Sequence, residues 1–208
     1  MSETLGVLES IRQAAMVRLT GATPDVVDLE SRWVVSDFLT RTRVWRKMVV
    51  ITPTPGADEY AVPGIQNYES VVLITEAAYK DRPLLLTKFP VATMQDGLPT
   101  AVMLTNDRTV GVYPTPTADV ADTIDLELAF TLLPASENPI PAVVRPYHDT
   151  LLKGVLARMY AIPDKPYTNL RLAPAEQAAY DRSVYDIRRV VDGGRGRNAM
   201  FVQFAPFA

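Results

Sequence analysis

The residues of this chain that could do chemistry are one histidine, a set of carboxylates in its middle, and a glycine–arginine run near its end. His148 stands beside Asp149, with Arg145 three positions before it. A His–Asp pair serves catalysis when a third group supplies the nucleophile and all three lie at hydrogen-bond distance. Consecutive helical residues point about 100° apart, so the pair reads as a half-buried or interfacial histidine. Asp122, Asp125 and Glu127 raise the question of paired carboxylates or a calcium site. Asp125 and Glu127 share one strand face, but no glycine-turned loop presents ligands at alternate positions around them. They read as solvated charge on an outer face. GGRGR, from Gly193 to Arg197, occurs once, whereas working nucleic-acid segments of this kind are repeated. A hinge with solvated arginines fits it better.

Composition closes other routes. With no cysteine there is no disulfide framework, thiolate metal site or cysteine nucleophile, and one histidine excludes a multi-histidine metal site. The sequence has no GxGxxG, Walker loop, GxSxG elbow or HExxH. No cofactor or metal is expected, and no enzymatic activity. MSETLGVLES lacks the basic and apolar regions of a signal peptide, and no apolar run is long enough to span a membrane. A soluble protein of a reducing cytoplasm is the expectation.

The net charge of −3 is unevenly spread. Residues 1–47 hold seven Lys/Arg against six Asp/Glu; residues 48–140 hold four against twelve; residues 141–208 hold ten against six. An acidic centre repels nucleic acid, and a basic end can meet an acidic partner or phosphate.

The elements that must carry these residues follow from periodicity. Leu5, Leu8, Ile11, Ala15 and Leu19 predict a helix over 3–19, stopped by Gly21. Thr23–Pro24 is an N-cap followed by proline at the first helical position, with Asp25 and Asp28 in the positive first turn. That second helix runs to about Thr42, with Val26, Leu29, Trp33 and Val34 predicted on one face. Strands follow in WRKMVVITPT, EYAVP, ESVVLITEA (its apolar middle predicting burial on both faces) and PLLLT, then a hairpin about Asn106–Asp107. Ile124–Leu132 alternates apolar and polar as a half-buried strand does. Pro146 is predicted to open a helix carrying Tyr147, Leu151, Leu152, Val155, Leu156 and Met159, in which Gly154 marks close packing. Pro174 opens the last helix, with Tyr180, Val184, Ile187 and Val191 on one side and Gly193–Gly194 ending it. The tail beyond holds Met200, Phe201, Val202, Phe204 and Phe207, too apolar to stay uncovered. It either folds back on its own domain or docks on another chain.

The order of elements resembles the head-to-tail connector, or adaptor, proteins of tailed bacteriophages. The likeness rests on FLTRTRVWRKM (Phe38–Met48) after a helical pair, on EYAVP, and on LTNDRTVGVYPTP with its proline-spaced exit. It continues through IDLELAFTLLP and IPAVVRPYHDTLLKGVLARMYAIPDKP to the helix after Pro174, covering about residues 25–192. The resemblance implies a homo-oligomeric ring, commonly of twelve subunits, seated beneath the portal in the virion neck after assembly in the host cytoplasm. Such a ring continues the DNA channel without sequence-specific binding and offers its far side to a tail or nozzle protein. It also implies a C-terminal arm gripping the portal, here Arg195, Arg197, Met200, Phe201 and Phe204.

The fold expected is α+β: a helical layer from both termini, a central antiparallel β-sandwich or barrel-like domain, and an extended C-terminal arm. Its parts are N-terminal helices (1–43), a β domain (44–138), a helical pair packed on the N-terminal helices (139–192) and the arm (193–208). Two other readings compete. One is a tail-completion, tail-tube or capsid accessory protein. The other, from a different class, is a ligand- or carbohydrate-binding β domain, against which stands the placement of Trp33 and Trp45 at that domain's margin.

Overall fold

A computed structural model describes residues 5–88, 97–117, 122–134 and 140–193. The class is α+β. Two helices, α1 (Leu5–Met16) and α2 (Pro24–Thr42), precede eight strands. These are β1 (Arg46–Ile51), β2 (Glu59–Ala61), β3 (Glu69–Tyr79), β4 (Arg82–Pro83), β5 (Leu85–Thr87), β6 (Ala101–Asn106), β7 (Thr109–Tyr113) and β8 (Ile124–Leu132). A 3-10 turn, Ala142–Tyr147, then leads into α3 (His148–Ala161), and α4 (Ala173–Gly193) follows. The chain divides into two compact units, Val35–Val143 and the two terminal segments Met1–Val34 with Val144–Ala208.

In the β unit the strands form two four-stranded sheets, ordered β1-β8-β3-β4 and β2-β7-β6-β5. They share one apolar core, a sandwich rather than a closed barrel. β8 shows why: Ile124, Leu126, Leu128, Phe130 and Leu132 are all buried, as their alternation predicts. β3 differs from expectation. Register shifts at Val71/Leu73 and Ile74/Glu76 break its alternation, and Val72, Leu73 and Ala78 are only half-buried. The sheets are also not wholly antiparallel. β5 and β6 pair parallel, with residues 88–100 supplying the long connection that parallel neighbours need.

In the helical unit, Val7, Ile11 and Ala15 of α1 are buried, as is Leu19 beyond its end. α3 is buried nearly all round, through Leu151, Leu152, Val155, Leu156, Ala157, Met159 and Tyr160. Pro146 lies inside the 3-10 turn, so the α-helix starts two residues later than its proline suggests. Gly154 does mark close packing: a Cβ there would lie 2.7 Å from Val34 Cγ1 and 3.1 Å from the Tyr180 ring. Arg12 pairs with Asp28 at 3.0 Å, and Arg158 with Glu30.

α2 buries a face turned partly away from the one expected: Val34 is buried as predicted and Val26 half-buried. Leu29 and Trp33 are about half exposed, and Val27, Ser31, Val34, Val35, Phe38, Leu39 and Thr42 are buried. Two polar residues disguise this face. Ser31 Oγ donates to Val27 O at 2.6 Å and Thr42 Oγ1 to Phe38 O at 2.7 Å. Their hydroxyls are satisfied within the helix, so burying them leaves no orphan donor.

Candidate functional site

Three places hold polar groups in defined geometry. The first is at the start of α3. His148 Nε2 lies 3.1 Å from Ser10 Oγ of α1, and His148 Nδ1 lies 3.1 Å from Asp149 Oδ1. The structure thus joins His148 and Asp149, which helical geometry was expected to hold apart. His148 is the first α-helical residue and Tyr147 before it is non-helical (φ −106°, ψ 17°), so its ring is not held in a regular turn. A hydroxyl, an imidazole and a carboxylate in series have the order of a nucleophile, base and orienting group. The surroundings do not suit that role. Asp149 is 95% exposed, so water competes for its imidazole bond, and Ser10 sits mid-helix. There the neighbouring backbone N–H groups are spent on helical bonds rather than aimed at an oxyanion. What the contact does is tie α1 to the first turn of α3. Ser10 has no sequence signal, standing 138 residues from its partner.

The second place is where α2 hands the chain to β1, within FLTRTRVWRKM. Arg43 adopts φ +57°, ending α2, and its carbonyl accepts from Arg46 Nε at 2.9 Å. Trp45 packs on Phe130 with ring centroids 5.8 Å apart. Lys47 Nζ lies 4.8 Å from both ring centroids and 2.6 Å from Glu69 Oε1. Glu69 is almost fully buried and also accepts from Gln66 N, while Arg108 Nη2 donates to Asn67 O at 2.8 Å. A buried carboxylate is tolerable when so paired and hydrogen-bonded. This knot of Lys47, Glu69 and Arg108 was missed in the sequence because its members are far apart along the chain.

The third is the outer face of the β1-β8-β3-β4 sheet. Cross-strand register sets Met48 beside Glu127 and Glu127 beside Glu76, then Val50 beside Asp125 and Asp125 beside Ala78. Asp125 and Glu76 are exposed, as the alternation implies. Glu127 corrects the reading of all three carboxylates as solvated: its side chain is mostly buried, 3.4 Å from Arg46 Nη1, with Thr75 Oγ1 donating to it. Those partners hold it against the like charge of Glu76 on the next strand. Asp122 lies off this face and pairs with Lys80 at 2.6 Å. Glu76, Asp125 and Glu127, together with Met48, Asp81 and Leu86, line a groove of about 340 Å³. Among the described residues no three His, Asp or Glu side chains converge as metal ligands, and no helix is long and apolar enough to cross a membrane.

The outer face of the β1-β8-β3-β4 sheet is both charged and apolar, as contact surfaces are. The family model of the SU10 adaptor protein matches residues 8–201, nearly the whole chain. The chain belongs to that family. It is a phage adaptor, as the resemblance over about residues 25–192 implied. A search of curated proteins gives no match. Arg195, Arg197, Met200, Phe201 and Phe204, expected to grip the portal, lie outside the described residues.

Proposed function

We propose that this adaptor assembles as a ring, of twelve copies, beneath the portal in the virion neck. The ring continues the DNA channel and attaches the tail or nozzle protein, and it does so without catalysis. The observation that carries the reading is the family match across residues 8–201, helices and sandwich together. Exposed apolar side chains support it. Leu29 and Trp33 of α2, Met48 and Val50 of β1, and Tyr185 and Val190 of α4 are each about half exposed or more. Such residues on a small domain are natural seats for neighbours.

The arm after Gly193 grips the portal, with Met200, Phe201 and Phe204 filling apolar grooves and Arg195 and Arg197 meeting acid groups. DNA passes without sequence-specific contact, because an acidic wall offers phosphates no cations in exchange for their counterions. Imaging the protein mixed with its virus's portal, beside a form lacking residues 194–208, tests this. A ring below the portal that disappears on deletion is expected. A ring that survives deletion removes the arm's role, and no ring at all overturns the reading.

A further inference from the structure

We propose that the acidic, apolar outer face of the β1-β8-β3-β4 sheet is the docking site for the outward face of α4 of a second copy of this chain. The proposal rests on the ring reading and names the contact that builds the ring.

The sheet face offers two exposed carboxylates, Glu76 and Asp125, flanked by Met48 (67% exposed) and Val50 (51% exposed). Met48 and Val50 stand on β1, at the edge of the sheet, so the apolar strip borders Asp125 of β8 directly, while Glu76 stands one strand further in, on β3. An edge strand with outward apolar residues is a surface that a partner is expected to cover.

α4 offers the complement. Tyr180 and Val184 face inward and are buried. Arg182, Tyr185 and Arg189 are exposed, Tyr185 at 66%. Their spacing of three and four residues puts them on one stripe, two cations about an aromatic ring, with the exposed Asp186 beside the ring. The two arginines are seven residues apart, about 10 Å along the helix at 1.5 Å per residue. On the sheet, Asp125 pairs with Ala78, so Glu76 lies on the diagonal, one strand across and two residues along. That diagonal is about 8 Å, from a strand spacing of about 4.8 Å and a rise of about 3.4 Å per residue. Two arginines can therefore reach the two carboxylates at once, with Tyr185 between them above Glu127 and its ring turned toward Met48 on the next strand. Tyrosine and arginine are the side chains that anchor protein interfaces.

The two patches differ, so they cannot pair as equals. Sheet face against sheet face sets carboxylate against carboxylate, and α4 against α4 sets arginine against arginine. Each copy gives its α4 to one neighbour and its sheet to another, a heterologous contact that closes only as a ring.

Charge reversal on each patch is the test, read by imaging of rings on the portal. One variant is R182E/R189E and the other E76R/D125R, all at exposed positions. Wild type is expected to form rings, and each variant alone to form at least about tenfold fewer. An equimolar mixture is expected to restore them, because each variant's α4 then meets the other's sheet with opposite charge. That rescue also shows that both variants are folded. In the wild type, ring yield is expected to fall as salt rises beyond the range where charges act at contact distance. Rings from either variant alone at the wild-type level overturn the contact and leave the ring reading standing. So does a mixture without rescue, the result expected if a basic segment of the portal covers the sheet instead. No ring from the wild type overturns both.

Discussion

Gly154→Ala tests the packing of the helical unit most sharply, because two known effects oppose each other there. In isolation alanine should help, since glycine costs a helix interior about 1 kcal/mol relative to alanine. The new methyl, however, would sit 2.7 Å from Val34 Cγ1 and 3.1 Å from two atoms of the Tyr180 ring. Val34 is β-branched, with one strongly preferred rotamer in a helix. It is also 2% exposed, and Tyr180 3%, so neither can turn aside into solvent. Overpacking of this kind costs about 1–3 kcal/mol, and the contact below 3.0 Å argues for the upper part of that range. The net expectation is a loss of about 1–2 kcal/mol after the helical gain. For a chain of this size that lowers the midpoint of thermal unfolding by about 2–8 °C, measured by circular dichroism at the helical band. Val34→Ala should cost about 2 kcal/mol by itself through lost burial. The double variant should then fall well short of the sum, because the colliding methyl has gone. An unchanged or raised midpoint in Gly154→Ala, or strict additivity in the double variant, would refute the reasoning.

Two further expectations concern the β unit. Lys47→Met strands the buried Glu69 carboxylate and should cost about 2–3 kcal/mol, less than a fully buried pair costs to break because Lys47 is a third exposed. Glu69→Gln keeps an acceptor for Gln66 N and should cost less, so urea titrations ranking the two the other way round would sink this account of the knot. The alkaline limb of stability should carry Tyr113, whose hydroxyl is raised above 10.0 by burial, then by the nearby charges of Asp58 and Glu59. A raised folded value means that its contribution is present below pH 10.0 and is lost as pH climbs through the folded value. Tyr113→Phe should therefore flatten the loss of stability above that pH, and an unchanged limb would exclude Tyr113 as its source. Lys80 is also raised, first by its hydrogen bond to Asp122, but it is fully exposed and its share above pH 10.5 should be small.

Local periodicity alone determined the kinds of element and most of their positions. β8 could be read to the residue because every second side chain from Ile124 to Leu132 is buried in the core, and a two-residue period allows no other register, although of the alternate residues only Asp125 is exposed. The start of α2 was legible through Thr23 and Pro24, since caps act within one turn. The class of protein was legible too, from the order of elements and the arginine–tryptophan stretch that leads into β1. Tertiary structure decided everything set by distant partners. The buried side of α2 was one: two apolar stripes were available, and the one containing Ser31 and Thr42 lies inward because both hydroxyls find carbonyls in their own helix. The parallel pairing of β5 with β6 depends on a long connection that carries no pattern of its own. Ser10 meets His148, and Lys47 meets Glu69, across intervals that no spacing rule spans. A period records which face of an element is buried, but only folding decides what that face is buried against.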